Sequence, residues 1–264
     1  MLTYLCLDVP GDDHHIGERP MAADLASTSP PRRRPLRHAP WLALLLTSVA
    51  VAVFFPSQYV NGTLESLAEA DTGLASTYAT RPGFVQVAFY VHILFAGLAL
   101  LLGGFQFSRR LRRYRRAHRW IGRTYVVAVM VGGASAFVMA VFSSVAFLGF
   151  FGFGTLAILW MWTTYRGYRS ARDRDFAEHQ AWMIRSFALT YAAPTLRLWL
   201  IVLTVAQQPF GLDEAVVFAN AYAPVAFLCW LPNIVIAEVI IRRRGLPSLI
   251  RMAPPSRTGV PAMS

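Results

Sequence analysis

Long apolar runs set apart by clusters of arginine constrain this chain more than any other feature. The runs are Pro40–Val60, Phe84–Phe107, Ile121–Ser143, Phe147–Tyr165, Ala181–Ala206 and Ala215–Ile241. Each is close to the roughly 20 residues an α-helix needs to cross a bilayer core. Inside that core the backbone has no water to bond, so each run is expected to be helical. The expected fold is all-α, a polytopic membrane protein built as a bundle of six transmembrane helices. Only 15% of the residues are charged and 55% are hydrophobic, whereas soluble domains spend about 25% on charge. That balance excludes disorder, coiled coil and collagen, and it argues against an ordinary soluble enzyme.

Residues 1–38 are rich in Pro, Ser, His and charge without periodicity, and read as a disordered cytoplasmic tail. A transmembrane domain is expected over 39–244 and a cytoplasmic tail over 245–264. Translation starts at Met1 or at Met21, which opens a more usual N-terminus. Arg32–Arg37 followed by Trp41–Phe55 has the outline of a signal peptide. Phe54, Phe55 and Pro56 stand where a small-residue cleavage site is needed, so an uncleaved first span is preferred. Between the first two spans, Leu64–Ala70 is expected to form one short helix. The Asn61-Gly62-Thr63 sequon is read as chance. Cys6 and Cys229 fall in a tail and a span, with no disulfide or metal site expected.

The net charge of +11 comes from 25 basic residues, all arginine, and 14 acidic ones. The absence of lysine is read as compositional bias. The arginines flank the apolar runs: Arg32–Arg37, eight between Arg109 and Arg123, four between Arg166 and Arg174, and Arg242–Arg244. Such clusters set orientation and meet anionic lipid, and they argue against nucleic acid as a partner. The opposite loops hold Arg81 with Glu65, Glu69, Asp71, Asp213 and Glu214. Both termini are therefore expected in the cytoplasm, with the chain in a bacterial inner membrane. Ala99 with Gly103, and Gly132 with Ala136, have the small-xxx-small spacing of close helix contacts.

Ionisable groups inside a span are expensive and so are functional candidates. They are His92, Arg197 and Glu238. His92 and Arg197 each lie roughly 12–13 Å from the outer end of their spans at 1.5 Å per residue. Tyr90, Tyr191 and Asn220 are expected in the same layer. One reading is an outer-half pocket in which Arg197 holds a small anionic or lipid-like ligand and His92 carries a proton or serves as an axial ligand. The other has His92 neutral and bonded to a neighbouring helix, with Arg197 reaching outward to headgroups or to Asp213 and Glu214. Pro194, one turn before Arg197, frees the Thr190 carbonyl and should bend the helix.

The inner layer holds His118 and His179 with Arg119, Arg123 and Arg185. Glu238 is the one acid placed to neutralise this cluster. A single haem held by His118 and His179, as in a membrane redox protein, stands against two interfacial histidines in a charge network. Glu238 reads as a counter-ion in preference to a proton relay. HRWIGR at 118–123 and HQAWMIR at 179–185 echo each other, by duplication of a two-helix unit or by shared interfacial needs. Asp173, Asp175, Glu178 and His179 are better explained by salt bridges than by a metal. Zinc-protease, nucleotide-binding and serine-hydrolase motifs are absent.

His92 with Gly97, then Gly103-Gly104-x-Gln106-Phe107, HRWIGRTY at 118–125, HQAWMIRSFAL at 179–189 and Arg197 together resemble the bacterial predicted membrane proteins grouped as domain of unknown function 2306. The resemblance runs from about Phe84 to Leu203. It implies a multi-pass membrane protein without an assigned activity. A looser similarity is to di-haem transmembrane b-type cytochromes. Those need two histidine pairs at matched depth, and here there is one inner pair and a single outer histidine.

Overall fold

The computed structural model describes residues 39–60, 62–70, 74–106, 111 and 113–249. The expected tail over 1–38, with Cys6 and both candidate start residues, lies outside the described residues, as do Asn61, Arg109, Arg110, Arg112 and residues 250–264. Every element among the described residues is a helix. They are α1 (Ala39–Ser57), α2 (Leu64–Glu69), α3 (Ala75–Tyr78), α4 (Gly83–Gln106), α5 (Arg115–Val141), α6 (Ala146–Arg172), α7 (Phe176–Thr190), α8 (Ala192–Gln207), α9 (Glu214–Leu228) and α10 (Leu231–Arg243), with a 3-10 turn at Gln208–Phe210.

Five helical runs are long and apolar enough to cross a membrane: α4, α5, α6, the α7–α8 pair and the α9–α10 pair. The first of the six expected spans is a shorter apolar helix, α1, packed along α4 and touching α8. At 1.5 Å per residue its 19 residues rise about 28 Å, close to the hydrocarbon thickness. The outer faces are unusually apolar. On α8, Leu198, Ile201, Val202 and Val205 form an exposed row at helical spacing, and α10 exposes Val235, Ile236 and Val239. Such a surface is a liability in water and the normal state against lipid.

Two features differ from the sequence expectation. First, the arginine-rich stretches are partly helical. α5 begins at Arg115 and α6 runs on to Arg172, because exposed arginines are good helix formers once past the apolar run. Second, the last two spans are interrupted. α7 stops at Thr190 and α8 restarts at Ala192, with Pro194 buried in the restarting turn. α9 stops at Leu228 and α10 restarts at Leu231, with Pro232 in its first turn. Asn233 ties the two breaks together. Its amide donates to the Ala188 carbonyl at 3.2 Å and the Cys229 carbonyl at 3.1 Å, and pairs with the Thr195 hydroxyl.

Neighbouring helices pack in sequence order, α4 on α5, α5 on α6 and α6 on α7, while α10 returns to α7. A buried hydroxyl network joins the middle three. The Tyr125 hydroxyl lies 2.7 Å from Ser186 Oγ and 2.8 Å from Thr190 Oγ1, and Thr164 Oγ1 lies 2.6 Å from Ser186 Oγ. The Trp160 indole donates to Thr190 Oγ1 at 2.8 Å. Every member has partners, so the network costs no unpaired polar group. Gly132 faces α4 so closely that a Cβ there would meet the Ala96 nitrogen at 3.3 Å.

At the arginine-rich end, Arg185 is 2% exposed and makes a two-pronged ion pair with Glu238. Its guanidinium stacks on Trp182 at 4.6 Å and also donates to the Pro247 carbonyl at 3.2 Å. Gly245, with φ of 64°, turns the chain after α10 and so brings Pro247 back. Glu238 is thus the counter-ion of Arg185. Replacing Glu238 by Leu is expected to cost about 3 kcal/mol, because it strands a desolvated guanidinium. The added change Arg185→Met should recover most of that loss. Chemical unfolding in detergent of the single and double variants measures both.

Candidate functional site

Just past the α7–α8 junction, Ala192, Ala193, Leu196, Arg197 and Leu200 face inward. Across from them, α4 presents Phe89, His92, Ile93, Ala96, Gly97 and Leu100, an unbroken stripe at helical spacing. Between these faces lies a cavity of about 320 Å³, near the lower end of small-molecule sites. His92 and Arg197 both line it. Its walls are otherwise mostly apolar, with Phe55 from α1, Phe218 and Tyr222 from α9, and Cys229 from the second helix break. Its deep end reaches Trp160 and Thr190, where the hydroxyl network begins.

The segment between α1 and α4 closes the other end. Thr63 caps α2 by accepting the Ser66 N–H at 3.3 Å. Beyond the single helix expected here, a second turn, α3, carries Tyr78 into a cluster with Val85 and Phe89. Leu74 and Tyr78 both line the cavity. The Leu74 N–H donates to the Tyr59 hydroxyl at 3.2 Å, and the Tyr78 hydroxyl donates to the Met139 carbonyl at 3.4 Å. Burial pushes the Tyr78 phenol up to about 12, against a small opposing pull from Arg81. It therefore stays a neutral donor at any physiological pH.

Arg197 is held by weak partners. One nitrogen donates to the Ala193 carbonyl one turn back at 2.7 Å, and the guanidinium lies 3.9 Å from the Phe55 ring centroid. Its Nε is buried with no hydrogen-bond partner among the described residues. Among the described residues the ion pairs are Arg169–Asp173 and Arg185–Glu238. Arg197 thus pairs with neither Asp213 nor Glu214. His92 Nδ1 lies 2.9 Å from the Gly132 carbonyl. A carbonyl only accepts, so Nδ1 carries a proton, and in the neutral form of the ring Nε2 is then an acceptor. The contact depends on Gly132, whose bare backbone lets α5 approach α4.

Three residues expected in this layer do not line the cavity. Tyr90 is exposed, edge-on to Phe89. Asn220 donates to Gln207 at 3.2 Å near the loop end. Tyr191 sits at the helix break and shares a 2.7 Å hydrogen bond with Thr47 of α1. Depth alone does not place a side chain. Tyr90 and Asn220 are each two residues, over half a turn, from the inward positions His92 and Tyr222. The i, i+4 pair Phe218 and Tyr222, whose rings stack at 5.2 Å, is the inward signal on α9.

The two inner histidines border neither this cavity nor the larger polar groove around Gln207 and Glu214. The His118 carbonyl accepts from Gln106 at 3.4 Å, and His179 Nδ1 bonds the Gly167 carbonyl of α6 at 2.8 Å. Nor do the acids beside His179 converge. Asp173 faces Arg169, Asp175 caps α7 by accepting the Glu178 N–H, and Glu178 accepts from the Trp182 indole.

Fold and site together define a multi-pass, all-helical membrane protein with a mostly apolar cavity beside two interrupted helices. The profile of the predicted membrane protein family, domain of unknown function 2306, matches residues 89–241, more than half of the chain. The chain belongs to that family. No curated protein and no solved structure matches it.

The sign of the Tyr78 shift makes a prediction. Its folded pKa exceeds the free value near 10, so its contribution to stability is whole below pH 10 and is lost as pH rises through about 12. Unfolding measured across that window should show a loss that Tyr78→Phe removes.

Proposed function

We propose that this protein binds a small, mostly apolar ligand carrying one anionic group, in the cavity shared by His92 and Arg197. The observation that carries the reading is Arg197. A cationic side chain at membrane depth costs on the order of 2.5–3.5 kcal/mol even on lenient scales. Here a ring face and one carbonyl compensate it, and no carboxylate does among the described residues. A ligand carboxylate or phosphate supplies the missing charge, and charge-assisted bonds to arginine are strong and directional. His92 Nε2 would accept a proton or hydrogen bond from the same headgroup. The apolar walls suit a hydrocarbon body. Helix breaks beside such a cavity are a feature of membrane proteins that hold or move solutes.

Radiolabelled decanoate, bound to the purified protein in nanodiscs, tests this. Arg197→Gln should weaken binding on the order of tenfold or more, the worth of a hydrogen bond to a charged group. Decanol should bind the parent protein more weakly than decanoate. Equal decanoate binding by the parent and Arg197→Gln would overturn the reading.

We also infer that both termini face the cytoplasm of a bacterial inner membrane, with the cavity in the outer half. The support is the arginine clusters at one end of the bundle and the mildly acidic segment at the other. Reporter fusions within 62–70 should report an external location and fusions after Arg172 an internal one. The reverse pattern would place the cavity in the inner half.

A further inference from the structure

The two arginine-preceded motifs fold alike and end differently. In the second, Arg185 stacks on Trp182 three residues earlier, Trp182 is 7% exposed, and Glu238 neutralises the guanidinium. In the first, Arg123 stacks on Trp120 with the same spacing, at 5.5 Å. Trp120 is 66% exposed, however, and no carboxylate among the described residues pairs with Arg123. The same cationic arrangement thus faces outward without its anion.

The surroundings identify what fits there. Arg116, Arg119, Trp120 and Arg123 occupy one exposed side of α5. Further along the same stripe come Val127, Met130 and Ala134, all exposed. The stripe starts basic, with Trp120 between Arg119 and Arg123, and turns apolar beyond Arg123 as it runs toward the middle of the bundle. From Arg123 to Ala134 it spans about 16 Å at 1.5 Å per residue, close to half of the ~30 Å hydrocarbon core. A free phosphate would use only the basic end. A partner protein has no reason to match the depth of one leaflet. A phospholipid matches both the order of the chemistry and its length.

We propose that this stripe binds one anionic phospholipid, its phosphate on Arg123 and Arg116 or Arg119 beside Trp120, its glycerol just beyond Arg123, and an acyl chain along Val127 and Met130. Arginine suits the role because its planar fork pairs with phosphate oxygens while its face rests on the indole. The site is separate from the His92–Arg197 cavity and stands or falls without it.

Native mass spectrometry tests the proposal, on protein in mild detergent supplied with equal phosphatidylglycerol and phosphatidylcholine of the same acyl chains. The parent protein should retain phosphatidylglycerol in preference. Arg123→Gln should lower that retention roughly fivefold, the worth of one basic side chain at an anionic surface. Trp120→Ala should lower it as well, while Arg172→Gln, which removes an exposed charge of α6 at the same end, should leave it unchanged. Thermal unfolding of each variant establishes that it is folded, and all three mutated side chains are exposed. Equal retention of the two lipids, or retention unaffected by Arg123→Gln, would overturn the proposal. So would displacement of the lipid by inorganic phosphate alone, which would assign the site to a free anion, or a dimer mass without lipid, which would assign the stripe to a second copy.

Discussion

A helix interrupted inside a bilayer must find new partners for the backbone groups it frees, and Asn233 supplies them for both interrupted spans. Its single amide serves a carbonyl on α7, the Cys229 carbonyl in the break before its own helix and the hydroxyl of Thr195. Unpaired, each of those groups would cost several kcal/mol in hydrocarbon. Pro194 and Pro232 make continuous helices unfavourable at these points, and the asparagine makes the breaks tolerable. The cavity follows from this. Thr190, Ala192, Ala193 and Cys229 all lie at or next to the breaks, and all four line it.

The α7–α8 span carries two arginines, Arg185 and Arg197, and they are treated in opposite ways. Arg185 has an acid in two-pronged contact, an indole beneath it and a backbone carbonyl beyond. Its charge is spent within the protein and locks α7, α10 and the turn after α10 together. Arg197 has only an aromatic face and a carbonyl of its own helix. A ring quadrupole offsets part of the desolvation of a cation, typically by ~0.5–2 kcal/mol, well short of an opposing charge. The difference separates a structural arginine from one available to a ligand, and it rests on partners and not on depth.

Much of this was legible in the sequence, for physical reasons that can be named. Apolar run length and arginine placement fix the helices, since both follow directly from bilayer thickness and the cost of charge in it. The pairing of depths for His92 and Arg197 follows from counting residues at a fixed rise. Counting alone does not bring Tyr90 and Asn220 to the cavity, because rise gives depth while rotation gives the face. The helical stripe Phe89, His92, Ile93, Ala96 carries the rotation and was available. Phe55 under Arg197, and Tyr78 under its loop, were not available. Each depends on a helix pairing, α1 with α8 and α3 with α4, that no local pattern encodes. Nor does a lone proline reveal whether it bends a span or breaks it. That depends on whether a residue such as Asn233 stands across the gap.

The two Trp–Arg motifs show how far local sequence carries. Spacing of three on a helix puts an arginine over a preceding indole in both, so the local geometry repeats without any tertiary instruction. Burial then diverges. α7 opens between α6 and α10, so its tryptophan is enclosed, flanked by Arg166 at 4.9 Å as well as Arg185, and its charge has to be met by Glu238. α5 opens at the edge of the bundle, where the same pair is left to the surroundings. An echo of this kind identifies a shared chemistry, a cation on an indole at the membrane boundary. Only the neighbouring helices decide whether the anion that completes it comes from the protein or from outside.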